Sequence, residues 1–359
     1  MHIPDGYLSP QTYLPAYAAM AALWTWASKR INNTLRLRQV PLLALGAAFS
    51  FVIMMFNMPI PGGTTGHAVG AVLIAVLLGP WAAVIAVSLA LIVQALLFGD
   101  GGITAVGANC FNMAVVMPFT GWWTYRLIAG RTLAVSRRAI LAGAIGGYVG
   151  INAAALSTAV MLGIQPHIAR GADGLALYNP FGLKVAVPVM MAEHLLLFGF
   201  VEAVVTGLVL AYVARTDPSM LPRAAPSRRV PVVRLSLALG VLVLLTPLGL
   251  YVPALLKAGG AWGEWGPEEL PVKLAEHGQA AQVPSQLERL SAIWKAPLPD
   301  YALPGLKEAP LWQLSLIYVA CGLIGVTMLA LLVLGLQKLF ARKDTDELPP
   351  GVDATASHT

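Results

Sequence analysis

The chain has 359 residues, 57% of them hydrophobic and 11% charged, and its mean hydropathy is +0.72. Soluble domains carry roughly 25% charged residues, so a water-soluble globular protein is excluded and an all-α polytopic membrane protein is expected. The net charge of +6 is not a nucleic-acid footprint, because Lys and Arg of membrane proteins gather in cytoplasmic loops.

The chain opens "MHIPDGYLSP" and runs straight into an apolar segment. Against the ~20 apolar residues a crossing needs, spans are predicted at 8–28, 40–56, 67–79, 81–98, 104–127, 139–163 and 185–213. Two more follow at 231–256 and 311–341. The third is short and stops at Gly79-Pro80, so 67–98 reads either as two crossings or as one broken pair. Residues 1–214 thus form a compact bundle of about seven transmembrane helices. Residues 215–230, polar, Pro-rich and basic, read as a cytoplasmic linker. Residues 231–341 make a two-helix module whose spans are joined by an outer loop at 257–310, and the polar tail 342–359 is expected to be disordered and cytoplasmic.

With the N-terminus outside and the spans alternating, 16 of the 23 Lys and Arg residues fall inside and seven outside, which favours that orientation. The opening lacks the basic stretch of a signal peptide, and its first span is too long for one. Cys110 and Cys321 lie in apolar runs and read as buried small hydrophobes rather than a disulfide.

Six histidines remain to be placed. His277 and His358 fall in polar stretches and read as solvated; His167 sits in the outer loop 164–184, where contact with substrate is the lesser of its readings. His194, beside Glu193 within the seventh span, is an intramembrane ionisable residue. His67 follows "NMPIPGGTTG", whose prolines and glycines cannot continue a helix. Non-helical backbone at membrane depth is tolerated only inside protein or along a cavity. His67 falls on the same side as His2.

The α-amino nitrogen of Met1, the backbone nitrogen of His2 and the His2 imidazole can chelate one metal through fused five- and six-membered rings. That leaves one in-plane position, which His67 can fill. Four nitrogens in a plane suit Ni²⁺ or Cu²⁺, with Co²⁺ a third option. The Pro4-Asp5-Gly6 turn would then fold the terminus back into the bundle. Thr65, Asn109, Asn112 and His194 are candidates to orient these ligands. Asn109 and Asn112, three apart, share a helix face. Ala44 and Ala48 have the small-xxx-small spacing of a helix-docking face, as do Ala18 and Ala22.

The stretches "MHIPDGYLSP", "PGGTTGHAVGAVLIAVLLGPWAAV" (61–84), "FGDGGITAVGANCFNMAVV" (98–116) and "HLLLFGFVEAVVTGLVL" (194–210) resemble the CbiM/NikM family. These are the substrate-capturing (S) components of energy-coupling factor importers for cobalt and nickel. The resemblance covers residues 1 to about 214. The two-span remainder resembles the CbiN/NikN-type small component, fused in one chain. The family's metal ligands map onto Met1, His2 and His67, and the cargo it implies is Ni²⁺ or Co²⁺, with a slight lean to nickel from the fusion. It also implies a separate transmembrane coupling (T) subunit and ATPase (A) subunits as partners. No GxxxxGK[ST] phosphate loop occurs in the chain, so no ATP hydrolysis is expected of it. The competing readings are an intramembrane metalloenzyme, which lacks an HExxH motif, and a proton-coupled carrier. The latter would rest on Glu193 and Glu202 alone.

Overall fold

In the computed structural model, residues 1–34, 39–59, 64–130, 136–221, 232–257, 263–276, 282–306 and 309–337 are described. The chain is mostly helical. Helix α1 spans Pro10–Thr34 and α2 spans Val40–Met54. A two-residue hairpin, β1 (Met58–Pro59) antiparallel to β2 (Thr65–Gly66), leads into α3 at Ala71–Leu78. Helix α4 is Pro80–Phe98, α5 runs over 106–129, α6 is Arg137–Ile168 and α7 is Leu183–Thr216. In the second part, α8 is Val232–Leu256, bent at Thr246-Pro247, and α9 is Leu311–Gly335. Five of these, α4 and α6 to α9, are long and apolar enough to cross a membrane.

Every predicted span therefore corresponds to a helix, with shifted ends: α1 runs six residues beyond 28. Helix α3 has only eight residues. At 1.5 Å per residue it is about 12 Å long, well short of a hydrocarbon core of about 30 Å. It stops where Gly79 takes φ +93°, a conformation glycine adopts at little cost, and Pro80 opens α4 at a position where no N–H is needed. Of the two readings of 67–98, the structure has the broken pair. Most of the linker 215–230 and the tail 342–359 lie outside the described residues.

Apolar residues ring these helices instead of striping one face. Leu196 and Leu208 of α7 remain 77% and 66% exposed, the surface a bundle presents to lipid. Small residues bring the helices together within the bundle. A Cβ on Gly121 of α5 would lie 2.7 Å from the Gly146 carbonyl of α6, and one on Gly146 would lie 2.6 Å from the Gly121 carbonyl. Helix α9 packs on α2, with the Tyr318 hydroxyl donating to the Met55 carbonyl at 2.7 Å. Cys110 and Cys321 are buried free thiols.

Three helices widen by a π turn: α4 at Gln94–Phe98, α5 at Phe111–Val116 and α7 at His194–Phe198. Such turns accommodate one extra residue and recur at functional sites. Here the first two flank the 99–105 loop, and the third packs Phe198 beneath Gly66.

Candidate metal centre

The terminus is tethered by its own backbone. Both polar edges of Ile3 are taken up by Asn109: the Ile3 N–H donates to Oδ1 at 2.9 Å, and Nδ2 donates to the Ile3 carbonyl at 3.1 Å. Gly102 N–H adds a third bond to the same carbonyl at 2.9 Å. The Asp5 carboxylate then accepts from Ile103 N–H at 3.0 Å, Thr104 N–H at 2.7 Å and the Thr104 hydroxyl at 2.5 Å. At Gly6, φ is +86° and a Cβ would strike the Leu287 backbone at 2.6 Å, so the turn requires glycine. With Ile3 to Gly6 fixed, Met1 and His2 are driven inward and are 2% and 6% exposed.

Three nitrogen-bearing groups meet there. The Met1 amine donates to the Thr65 carbonyl at 3.3 Å. The His2 and His67 rings stack with centroids 4.8 Å apart at 26°, and His67 is 1% exposed. His67 Nδ1 lies 3.2 Å from the Ala68 carbonyl. The Nε2 atoms of both rings are buried without a hydrogen-bond partner. Orphaned buried polar atoms are costly, and an absent ligand is one explanation for them. Burial lowers the amine below its ordinary 8.0, against the pull of Glu264 and Asp100, so the free-base form that can coordinate a cation is favoured.

Behind the rings sits Asp100. Its Oδ1 is 3.0 Å from His2 Nδ1. Its Oδ2 accepts from the Tyr301 hydroxyl at 2.6 Å and from Gln94 Nε2 at 3.1 Å. Burial alone would raise this carboxyl. The attraction of His2 and the hydrogen bonds from His2 and Tyr301 outweigh that and hold it well below the usual carboxylate range. The loop carrying His67 is fixed from below: the Val69 and Gly70 N–H groups donate to Glu202 near the middle of α7, at 2.8 and 3.2 Å. That carboxylate also accepts from the Thr206 hydroxyl at 3.3 Å, so its oxygens are engaged. At Gly66 a Cβ would lie 1.9 Å from the Phe198 ring.

The second part of the chain closes the site from above. The Thr65 hydroxyl donates to the Glu264 carboxylate, and the Tyr7 hydroxyl donates to the Trp265 carbonyl at 2.9 Å. Tyr301, which holds Asp100, belongs to the same 257–310 loop.

The structure thus brings together Met1, His2 and His67. Thr65 is beside them through its carbonyl and hydroxyl. Asn109 acts on the terminus rather than on His67. Asn112 is elsewhere, clamped to Ser157 and Thr158 of α6. His194 bonds the Met190 carbonyl at 2.8 Å within its own helix and packs on Phe198. His167 is exposed, and His277 and His358 lie outside the described residues. Ala44 and Ala48 are 8% and 2% exposed. They face inward and present no docking surface in this chain, whereas Ala18 and Ala22 of α1 are exposed. One ligand detail differs from expectation. The six-membered chelate ring with the His2 amide needs Nδ1, and that atom faces Asp100. Closing the chelate requires this pair to part.

Asp100, Glu264 and Tyr301 are the site residues the sequence did not mark. Asp100 had one signal, an acid set among glycines directly after an apolar span. Glu264 is one of several acids in a long loop, and nothing local distinguishes it.

The chain is matched over residues 2–220 by the CbiM model, described as the cobalt uptake substrate-specific transmembrane region, and over 234–342 by the PDGLE domain. It is 47% identical over 343 residues to the fused nickel transport protein NikMN of Rhodobacter capsulatus, covering 92% of this chain and 95% of that one. It is 44% identical over 339 residues to the probable fused nickel transport protein LarMN of Lactiplantibacillus plantarum, covering 94% and 98%. A crystal structure of a truncated transition metal transporter is 57% identical with a TM-score of 0.56, covering 59% of this chain and 98% of that one.

Proposed function

The chain belongs to the CbiM family of cobalt uptake transmembrane proteins and carries a PDGLE domain behind that region. On that premise we propose that it is the substrate-specificity subunit of an energy-coupling factor importer, capturing Ni²⁺ or Co²⁺ at the outer face of a bacterial membrane. It is a multi-pass membrane transport protein and not an enzyme; relatives similar over almost its whole length are named as nickel transport proteins. The lean is to nickel, since those relatives share the fused two-part arrangement.

The observation that carries the reading is the buried cluster of the Met1 amine, His2 and His67, with two unpartnered Nε2 atoms and Asp100 behind. On capture, the amine, the His2 backbone nitrogen, the His2 imidazole and the His67 imidazole form a four-nitrogen set around the ion. Nitrogen donors in a plane suit Ni²⁺. Asp100 holds His2 Nδ1 before capture; once that nitrogen turns to the ion, the nearby carboxylate offsets the charge of the cation. The amine and the imidazoles bind only as free bases, and the His2 amide loses its proton to water as its nitrogen binds the ion. Energy comes from separate subunits: a T subunit in the membrane, for which the exposed small residues of α1 are a docking face, and A subunits that hydrolyse ATP. Positive-inside counting puts Met1 and the 257–310 loop outside and the C-terminus in the cytoplasm.

The test is metal analysis of the full-length protein, followed by uptake of labelled Ni²⁺ and Co²⁺ in cells that also express candidate T and A subunits. Saturable uptake that depends on His67 and on the ATPase is expected. Uptake by this chain alone at the same rate, or metal content unaffected by His67→Ala, refutes the proposal.

A further inference from the structure

Beside the nitrogen cluster lies a cavity of about 160 Å³. It is walled by the Pro4-Asp5 turn, the Gly99–Gly102 loop and the 257–310 loop, which contributes Glu264, Ser291 and Trp294. At ~30 Å³ per water it holds about five. Its lining contains two carboxylates and no Lys, Arg or His. The Asp5 carboxylate already serves three donors of residues 103–104. Glu264 differs. It accepts from the Thr65 hydroxyl, and the carbonyl of that same Thr65 takes the Met1 amine. One residue therefore separates a carboxylate on the cavity wall from the first nitrogen of the centre. Beyond it lie the Nε2 atoms of His2 and His67, which have no partner, on side chains more than nine-tenths buried.

A hydrated divalent cation must shed water before four nitrogens can hold it. It needs an oxygen donor that replaces water at little cost and then lets go. A carboxylate is such a donor: oxygen ligands hold Ni²⁺ and Co²⁺ less firmly than imidazole and amine nitrogens do. We propose that Glu264, supplied by the loop of the second module, is the receiving ligand of the incoming cation, taking it from the cavity and passing it to the Met1, His2 and His67 nitrogens. The proposal rests on the nitrogen centre being where the ion finishes. It gives the fused module a chemical task at the site. Glu264 is a way-station and not a fourth or fifth permanent ligand, so it governs how fast the centre fills and empties, not how tightly it holds.

That distinction sets the experiment. Full-length wild type, Glu264→Gln and Ser291→Trp are purified and mixed with NiCl₂ in a stopped-flow instrument, and equilibrium affinity is measured by competition with a chelator. Ser291 is an exposed residue of the cavity lining, so a Trp there narrows the route at a position that is not buried in the fold. The expected result is loading at least tenfold slower in both variants, with equilibrium affinity within threefold of wild type. Because the affinity is unchanged, release to excess chelator must slow by the same factor. Glu264→Asp, which keeps the charge, recovers part of the rate. Wild-type loading rates in both variants overturn the proposal. So does a loss of equilibrium affinity in Glu264→Gln as large as that of His67→Ala, which would make Glu264 a resident ligand. If His67→Ala itself leaves affinity intact, it is the nitrogen centre that fails, and the two failures are told apart.

Discussion

Extending the chain ahead of Met1 by Gly-Ser-Gly-Ser is the sharpest test of the terminal amine. Met1 is 2% exposed and its nitrogen sits 3.3 Å from the Thr65 carbonyl. Four extra residues carry the free amine up to about 14 Å away, whereas nitrogen ligands bind such ions at about 2.0–2.1 Å. The chain cannot compensate by sliding. A slip would break the three neutral bonds at Ile3, about 1 kcal/mol each, and the three bonds to the Asp5 carboxylate, about 1.5–3 kcal/mol each. The register therefore holds, the amine is lost, and without an anchoring amine the ion cannot displace the His2 amide proton. Two imidazoles remain of four nitrogens. Affinity for Ni²⁺, measured by chelator competition, should fall at least 100-fold, equivalent to about 2.7 kcal/mol. The melting temperature without metal should stay close to wild type. Unchanged affinity in a folded, extended protein refutes the role of the amine. A single inserted residue behaves differently: with His third from the terminus, the amine, two amides and one imidazole supply four nitrogens by themselves, so binding persists but no longer depends on His67.

Three other outcomes are expected. His67→Ala should weaken Ni²⁺ binding at least tenfold, whereas His167→Ala, at an exposed position, should stay within threefold; equal losses place the ion elsewhere. Since burial lowers the Met1 amine, protons compete for it only at lower pH than at an exposed terminus. The His2 amide must lose its proton to bind, so affinity should fall about tenfold per pH unit from pH 8 to 7, and more steeply below that once protons also compete for the amine, so that proton release per ion rises above one on acidification; calorimetry in buffers of different ionisation heat counts the protons, and a flat profile contradicts the ligand set. Gly66→Ala should cost about 1–3 kcal/mol by overpacking against Phe198 and should weaken metal binding by displacing His67. Adding Phe198→Leu should recover part of both losses, and strictly additive effects rule out this contact as the cause.

The spans were legible because hydrocarbon imposes one rule along a whole segment, and Gly79-Pro80 announced the break in the third. The cluster of Met1, His2 and His67 was legible for a different reason: a histidine at position 2 and another after "PGGTTG" have no ordinary structural use. Asn109 was legible as a polar group needing a partner, but the partner is Ile3, 106 residues away, and no local pattern encodes that. Asn112 shares its helix face in sequence, yet the π turn beginning at Phe111 separates the two and turns Asn112 to α6. Ala44 and Ala48 failed as a surface because α2 is covered within the chain itself. Glu264 was illegible, since its meaning comes only from where a loop 200 residues beyond Thr65 folds back.

That distance has a consequence for how the protein is made. Tyr7 is held by Trp265, 258 residues later, and Thr65 by Glu264. At ~5–20 residues per second of synthesis, Trp265 is added roughly 13–50 s after the first residues. The terminus is thus the first part synthesised and among the last to be completed. Contacts of such high sequence separation form slowly, because long chain segments must be closed first. A nascent chain in which the first bundle has already inserted still lacks its cover. Newly made protein should pass through an interval in which the Met1 amine and both imidazoles are open to any cation or modifying enzyme on that side of the membrane. The cover over the Met1, His2 and His67 cluster is therefore acquired in time, with the arrival of the chain's second half.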